Sequence, residues 1–359
     1  MSVYRKIYAE KERAMKKKMF AKISILGCLC LCLACGMFAC TKDNKPNVNI
    51  NDYTIDVPYK DNFQVLQLTD THWLGGTDWT AHKNFITKVI TSAEIPNARP
   101  DFIVITGDCV NDSALDDWKN YCDFFDSFKI PWTLTFGNHD ARAELSMDEL
   151  TSFLNERSAS PSSYLKFKNN IGDNIHGDAN FAINLVQNNT VKEQLIIFDS
   201  NRYRDSTSDK GYSDYDYIYP DQIEWYKQLV TKTAEANSGA VVPSLAFFHI
   251  PLQEYLFAYE AVQRGEAKFL DDGRDTEGIC CPRENTGLFN VMKELQSTKG
   301  VFCGHDHVNH SCIEYQGIKL AYGLKSSDFI YHDEGWLGGR LISLAPNGEF
   351  SSKLIHNDY

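Results

Sequence analysis

The chain has 359 residues, 43% hydrophobic and 13% aromatic, which is ample apolar side chain for a large core. Its formal net charge is −12, and the first 39 residues carry eight Lys/Arg against two Asp/Glu, so the remainder holds −18. That balance argues against electrostatic capture of nucleic acid or an anionic bilayer, which depends on cationic contacts. It leaves phosphate compounds open as substrates, because bound metal ions dominate local charge.

Residues 1–39 read as an export signal rather than part of the fold. Lys16, Lys17, Lys18 and Lys22 form a cationic region, and the apolar run ISILGCLCLCLACGMFA follows it. Met37-Phe-Ala-Cys40 resembles a relaxed bacterial lipobox, with Cys40 as the lipidated first residue. The stretch before Met15 is long for such a signal, so Met15 or Met19 is a candidate start. The apolar run is short for a membrane-spanning anchor, the other reading of this segment. Residues 40–52 form a polar tether, in which Lys42-Asp43 resembles a lipoprotein surface-export signal. The expected location is the bacterial cell envelope, with membrane attachment through Cys40.

From Tyr53 to Tyr359 no long linker or repeat interrupts the chain, so a single domain is expected over 53–359. Five apolar runs read as buried strands: VLQLT, FIVIT, WTLTF, LAFF and VF. Each ends in metal-binding side chains: Asp70-Thr-His72, Gly107-Asp108, Gly137-Asn138-His139-Asp140, His249, and Gly304-His305-Asp306-His307. Between them, DWTAHKNFITKVITSAE, ALDDWKNYCDFFDSF, DQIEWYKQLVTKTAEA and TGLFNVMKELQS carry apolar residues at helical spacing. Ser146 and Glu149 predict a capping box for a helix after Asp140. ANFAINLV, EQLIIFDS, IKLAYG and GRLISLAP read as further strands.

Open α/β sheets place their sites at the carboxyl ends of strands, and here the donors exceed what one ion requires. Hard carboxylates with borderline imidazoles suit Mn, Fe or Zn better than calcium. Asp70 and His72 are two apart, which in extended chain points them to one side, and His305 with His307 repeats the spacing. Asn138 offers a neutral oxygen, and His139 beside it is free to act as an acid. The glycines at 107, 137 and 304 permit sharp turns and close backbone approach. These features predict a two-metal hydrolase.

The ordered set Asp-x-His, Gly-Asp, Gly-Asn-His-Asp, His, Gly-His-x-His resembles the calcineurin-like metallophosphoesterases. AFFHIPLQEY, EGICCPRENTGLF and KGVFCGHDHVNH resemble the subgroup related to purple acid phosphatases. The resemblance implies a four-layer α/β/β/α sandwich with metals at one sheet rim. It implies Asp70, His72 and His307 on one metal, Asn138, His249 and His305 on the other, and Asp108 bridging both with a water or hydroxide. It also implies that His139 stabilises the transition state or protonates the leaving group, with Asp140 a candidate orienting partner. Purple acid phosphatases carry a tyrosine where this chain has Asn111, so the resemblance favours a centre without that chromophore.

Other candidates are Trp73 as a substrate wall, Tyr212, Tyr215 and Tyr217 for stacking, Arg202 and Arg204 for gripping phosphate, and His310 or His332 as extra cationic groups. Each has a plain structural alternative in packing or a solvated loop. Six cysteines follow Cys40, and a Cys281–Cys312 disulfide and free thiols are both open. Hydrolysis of phosphate mono- or diesters is the expected function. The alternatives are a non-catalytic metal-binding surface lipoprotein, and a hydrolase of another ester on the same centre.

Overall fold

The computed structural model describes residues 48–111, 114–140, 145–170, 175–204 and 215–357. The leader, Cys40, the start of the tether and Tyr212 lie outside the described residues.

β14 (Phe350–His356), β13 (Gly338–Leu344), β2 (Gln64–Leu68), β4 (Phe102–Thr106) and β6 (Trp132–Thr135) lie side by side in that order. The second sheet runs β1 (Thr54–Pro58), β7 (Phe181–Gln187), β8 (Thr190–Ile197), β9 (Ser244–Phe247), β10 (Thr298–Cys303), β12 (Ile318–Tyr322) and β11 (Cys312–Tyr315). Both are mixed: β2, β4 and β6 pair in parallel, as do β8, β9, β10 and β12, while β13, β14 and β11 add antiparallel edges. A third, two-stranded sheet joins β3 (Trp73–Leu74) to β5 (Val110–Asn111) in parallel. The helices are α1 (Thr80–Ile90), α2 (Leu115–Ser127), α3 (Met147–Ala159), α4 (Pro220–Ala236), α5 (Gln253–Gln263) and α6 (Leu288–Leu295).

Strand periodicity explains the layering. Successive strand residues face opposite sides, and the seven-stranded sheet is apolar on both. Ile183, Leu185, Leu195, Ile197, Leu245 and Phe247 join Leu66, Ile103 and Leu134 of the other sheet in one core. Their neighbours Ala182, Ile196, Ala246, Val301 and Leu320 join Trp225 and Leu229 of α4 and Met292 of α6 in a second. On the far side, Phe85 and Val89 of α1 and Trp118 and Phe125 of α2 cover the five-stranded sheet. The result is the expected α/β/β/α sandwich. Each fully buried Leu, Ile or Phe contributes about 1.5–3 kcal/mol through removal from water.

The capping box forms as expected: Ser146 Oγ accepts from the Glu149 amide, and the Glu149 carboxylate accepts from the Ser146 amide. Helix α5 has no clear signal in the sequence, because its Leu256 is half-buried and Phe257 exposed, which blurs the apolar period. Packing also begins inside the segment read as tether. Val48 is 1% exposed and donates its amide to Gln228 Oε1 at 3.1 Å. Trp73 is core, not wall: it is fully buried against Trp79, Tyr121 and Phe124. All six described cysteines are free thiols. Among the described residues no helix is long and apolar enough to cross a membrane.

Candidate metal centre

β2, β4, β6, β9 and β10 end at one rim, and the chain just beyond them carries Asp70 and His72, Asp108, Asn138, His249, and His305 with His307. All seven side chains are buried. Asp70, His72, Asp108 and His307 each present one ligand atom within 4.8 Å of the others. Nε2 of His72 lies 2.9 Å from Nε2 of His307, and 3.7 and 3.5 Å from carboxylate oxygens of Asp70 and Asp108. Beside this group, Nε2 of His249 lies 3.1 Å from Asn138 Oδ1, 3.3 Å from Asp108 Oδ2 and 3.3 Å from His305 Nδ1. Asp108 Oδ2 is therefore common to both groups.

The outward nitrogens set the tautomers. His72 Nδ1 faces Asn111 Oδ1 at 2.9 Å, His249 Nδ1 the Thr106 carbonyl at 2.8 Å, and His307 Nδ1 the Tyr331 carbonyl at 3.1 Å. An acceptor at Nδ1 fixes the proton there and turns the Nε2 lone pair inward, as metal-ligating histidines are held. Tyr203 takes a hydrogen from Asn138 Nδ2 at 2.7 Å, which leaves the amide oxygen facing His249. Two inward lone pairs 2.9 Å apart repel unless a cation or proton lies between them. The donor set thus fits metal ions of the borderline class.

The backbone corrects the expectation of extended chain at these motifs. Asp70, His72, Asp108 and His305 have φ of 52°, 45°, 51° and 79°, all left-handed. Non-glycine residues there are uncommon and cluster at functional sites. Tertiary contacts hold the corners: Lys325 Nζ and Ser327 Oγ both donate to the Asp70 carbonyl, at 2.9 and 3.2 Å. The amide of His72 donates to the Asp108 carbonyl at 2.9 Å. Two glycines permit the approach of the loops. A Cβ on Gly137 would lie 2.2 Å from Asp108 Oδ1, and one on Gly304 would lie 2.0 Å from Thr69 Oγ1.

Burial penalises charge throughout the cluster. It lowers His72 to about 3, and with help from the neighbouring His249 charge it lowers His305 to about 3. Burial also opposes ionisation of Asp108, yet His249 and His72 hold that carboxyl well below its usual range. His249 is the exception: burial opposes its charge, but Asp108 beside it pushes it up to about 10. A metal ion at this position would compete with the proton, so loading should weaken as pH falls.

His139 is half-buried, with its ring 5.4 Å from that of His72 and its amide donating to Asp108 Oδ1 at 2.8 Å. Asp140 ties two loops together through their backbone amides. One of its oxygens accepts from the amides of Cys109 and Val110, at 2.6 and 3.1 Å, and the other from Gly137 at 2.7 Å. It is a brace between the Asp108 and Asn138 loops. Asp306 is similarly structural, accepting from Tyr322 Oη at 2.6 Å and from the Cys280 amide.

Arg202 pairs with Asp178 and Arg204 with Glu284, so both guanidiniums are engaged. Tyr217 stacks on Tyr219 at 4.4 Å, whereas Tyr215 sets its ring edgewise on His305 at 4.3 Å. His310 is buried against Trp336, and His332 bonds the Ile330 carbonyl. Sequence reasoning missed Lys325, Tyr203 and Tyr331, and took Asn111 only as a tyrosine replaced. A lysine directly after the apolar run IKLAYGL was the one available signal for Lys325.

A fold of two packed mixed sheets with this donor set at one rim is that of a metal-dependent phosphoesterase. The family model for calcineurin-like phosphoesterases matches residues 63–309, and the chain belongs to that family. It is 29% identical over 339 residues to a plant protein named "Probable inactive purple acid phosphatase 29" (Arabidopsis thaliana), covering 87% of this chain and 81% of that one. It is 29% identical over 284 residues to the yeast protein "Phosphatase DCR2" (Saccharomyces cerevisiae), covering 73% of this chain and 47% of that one. The crystal structure of a dimetal phosphatase from Danio rerio superposes with a TM-score of 0.55 at 14% identity, over 80% of this chain and 94% of that one, a likeness of fold alone.

Proposed function

We propose that the protein hydrolyses phosphate mono- or diesters at a two-metal centre of Fe, Mn or Zn. Asp70, His72 and His307 would hold one ion and Asn138, His249 and His305 the other, with Asp108 placed between the two groups. The observation that carries this reading is the Asp108 carboxylate, whose Oδ2 lies 3.5 Å from His72 Nε2 and 3.3 Å from His249 Nε2. When bound, such a pair supplies charge neutralisation at the phosphoryl group and a nucleophile drawn from water at neutral pH. The chain's own part is positional. Asn111, the Thr106 carbonyl and the Tyr331 carbonyl hold the imidazoles. His139, the half-buried imidazole at the rim, delivers a proton to the departing alkoxide.

The word "inactive" in a relative's name favours a second reading, a metal-binding protein without turnover. Against it stands the full donor set, every member buried and convergent. Protein loaded with Mn, Zn or Fe should hydrolyse at least one of an aryl phosphate, a bis-aryl phosphate, a nucleotide or a cyclic nucleotide. Two bound ions with no turnover across that panel would establish the second reading.

Export and lipidation at Cys40 complete the proposal, supported by the basic and apolar leader and the polar residues after it. Changing Cys40 to Ser should leave the leader uncleaved or release the activity into soluble fractions. Cell fractionation that finds the variant processed and membrane-held as before rejects the lipoprotein assignment.

A further inference from the structure

We infer that Tyr331 forms a fixed wall of the substrate site that stacks on a flat aromatic substituent of the phosphate ester, an inference that rests on the phosphoesterase reading above. Its ring stacks on that of His307, with centroids 4.4 Å apart and planes inclined by 26°. One face thus covers a side chain of the metal centre, while the residue as a whole is 52% exposed. An exposed tyrosine is ordinarily mobile, but this one is pinned at both ends. Its carbonyl accepts from His307 Nδ1 at 3.1 Å, and its hydroxyl donates to the Glu277 carboxylate at 3.3 Å. Glu277 in turn accepts from the amide of Val308, the residue after His307.

The backbone adds an independent sign. Ile330 has a φ of 64° and is 39% exposed. A β-branched residue in the left-handed region is a genuine outlier, and such strain gathers at ligand clamps and active sites. An exposed ring held on His307, next in the chain to an exposed and strained Ile330, makes a surface suited to an apolar partner. The geometry of the ring selects a planar one: a face that stacks on imidazole on one side offers an equivalent face on the other. A simple aryl group and a nucleobase share that chemistry.

The test compares phosphonate inhibitors by calorimetry on metal-loaded protein, so it reads binding and needs no turnover. Phenylphosphonate and a nucleoside phosphonate should bind more tightly than methylphosphonate, and the arm with the larger gain identifies the aromatic source. In Tyr331→Ala the backbone carbonyl that holds His307 remains. The aromatic preference, read as the ratio of phenylphosphonate to methylphosphonate affinity on protein of measured metal content, should then fall by about 10- to 100-fold, the worth of one stacking contact. Tyr331→Phe keeps the ring and should keep the preference. Equal affinity for all three phosphonates in the unaltered protein, or a preference that survives Tyr331→Ala, overturns the wall while leaving the phosphoesterase reading intact. Failure of every phosphonate, and of inorganic phosphate, to bind the loaded protein overturns that reading and the wall with it.

Discussion

Asp108→Asn is expected to abolish turnover and to loosen both metal ions together. The residue it alters sits between the two donor groups, within 3.5 Å of His72 Nε2 and 3.3 Å of His249 Nε2. Asparagine tolerates the left-handed backbone that Asp108 adopts, at φ 51°, so the corner survives the change. Its amide oxygen can still accept from the His139 amide, as Asp108 Oδ1 does. What disappears is the negative charge shared by the pair. Metal-ion catalysis is worth several kcal/mol, and each 1.4 kcal/mol is tenfold in rate, so the loss should reach about 10³-fold or more. Elemental analysis that still finds two tightly held ions in the variant would remove Asp108 from the bridging position.

His139→Ala should behave differently, because the residue contributes through two separable groups. Its backbone amide holds Asp108 and is unaffected by the substitution. Its imidazole stands at the rim, with its centroid 5.4 Å from that of His72. Metal content should therefore stay complete while the rate falls by roughly 10²–10⁴-fold, the usual worth of a positioned general acid. The loss should shrink for substrates with good leaving groups, which need no proton. A variant that instead loses metal places the imidazole among the ligands.

The strand ends were legible in the sequence because a strand and the polar residue that follows it are local features. VLQLT before Asp70, FIVIT before Asp108 and VF before the Gly304 motif each declare a buried strand and its donor within ten residues. Ser146 and Glu149 announced their helix for the same reason, since a capping box spans four residues. Parallel pairing of β2, β4 and β6 then lays three of those ends in one row without further instruction.

Other features depended on partners far away in the chain. The Asp70 corner is left-handed because Lys325 and Ser327, some 255 residues on, hold its carbonyl. Spacing alone made that corner look extended. That Asp140 braces two loops was not legible either, because only the folded loops bring three amides to its carboxylate. Trp73 stood beside a metal motif and so resembled a wall, until α2 closed over it with Tyr121 and Phe124. Which chemical groups lie at the rim was thus written in short stretches of sequence. Which of them face the metals, brace the loops or meet the substrate was decided by long-range packing, because a side chain's direction follows from the backbone conformation that distant contacts impose.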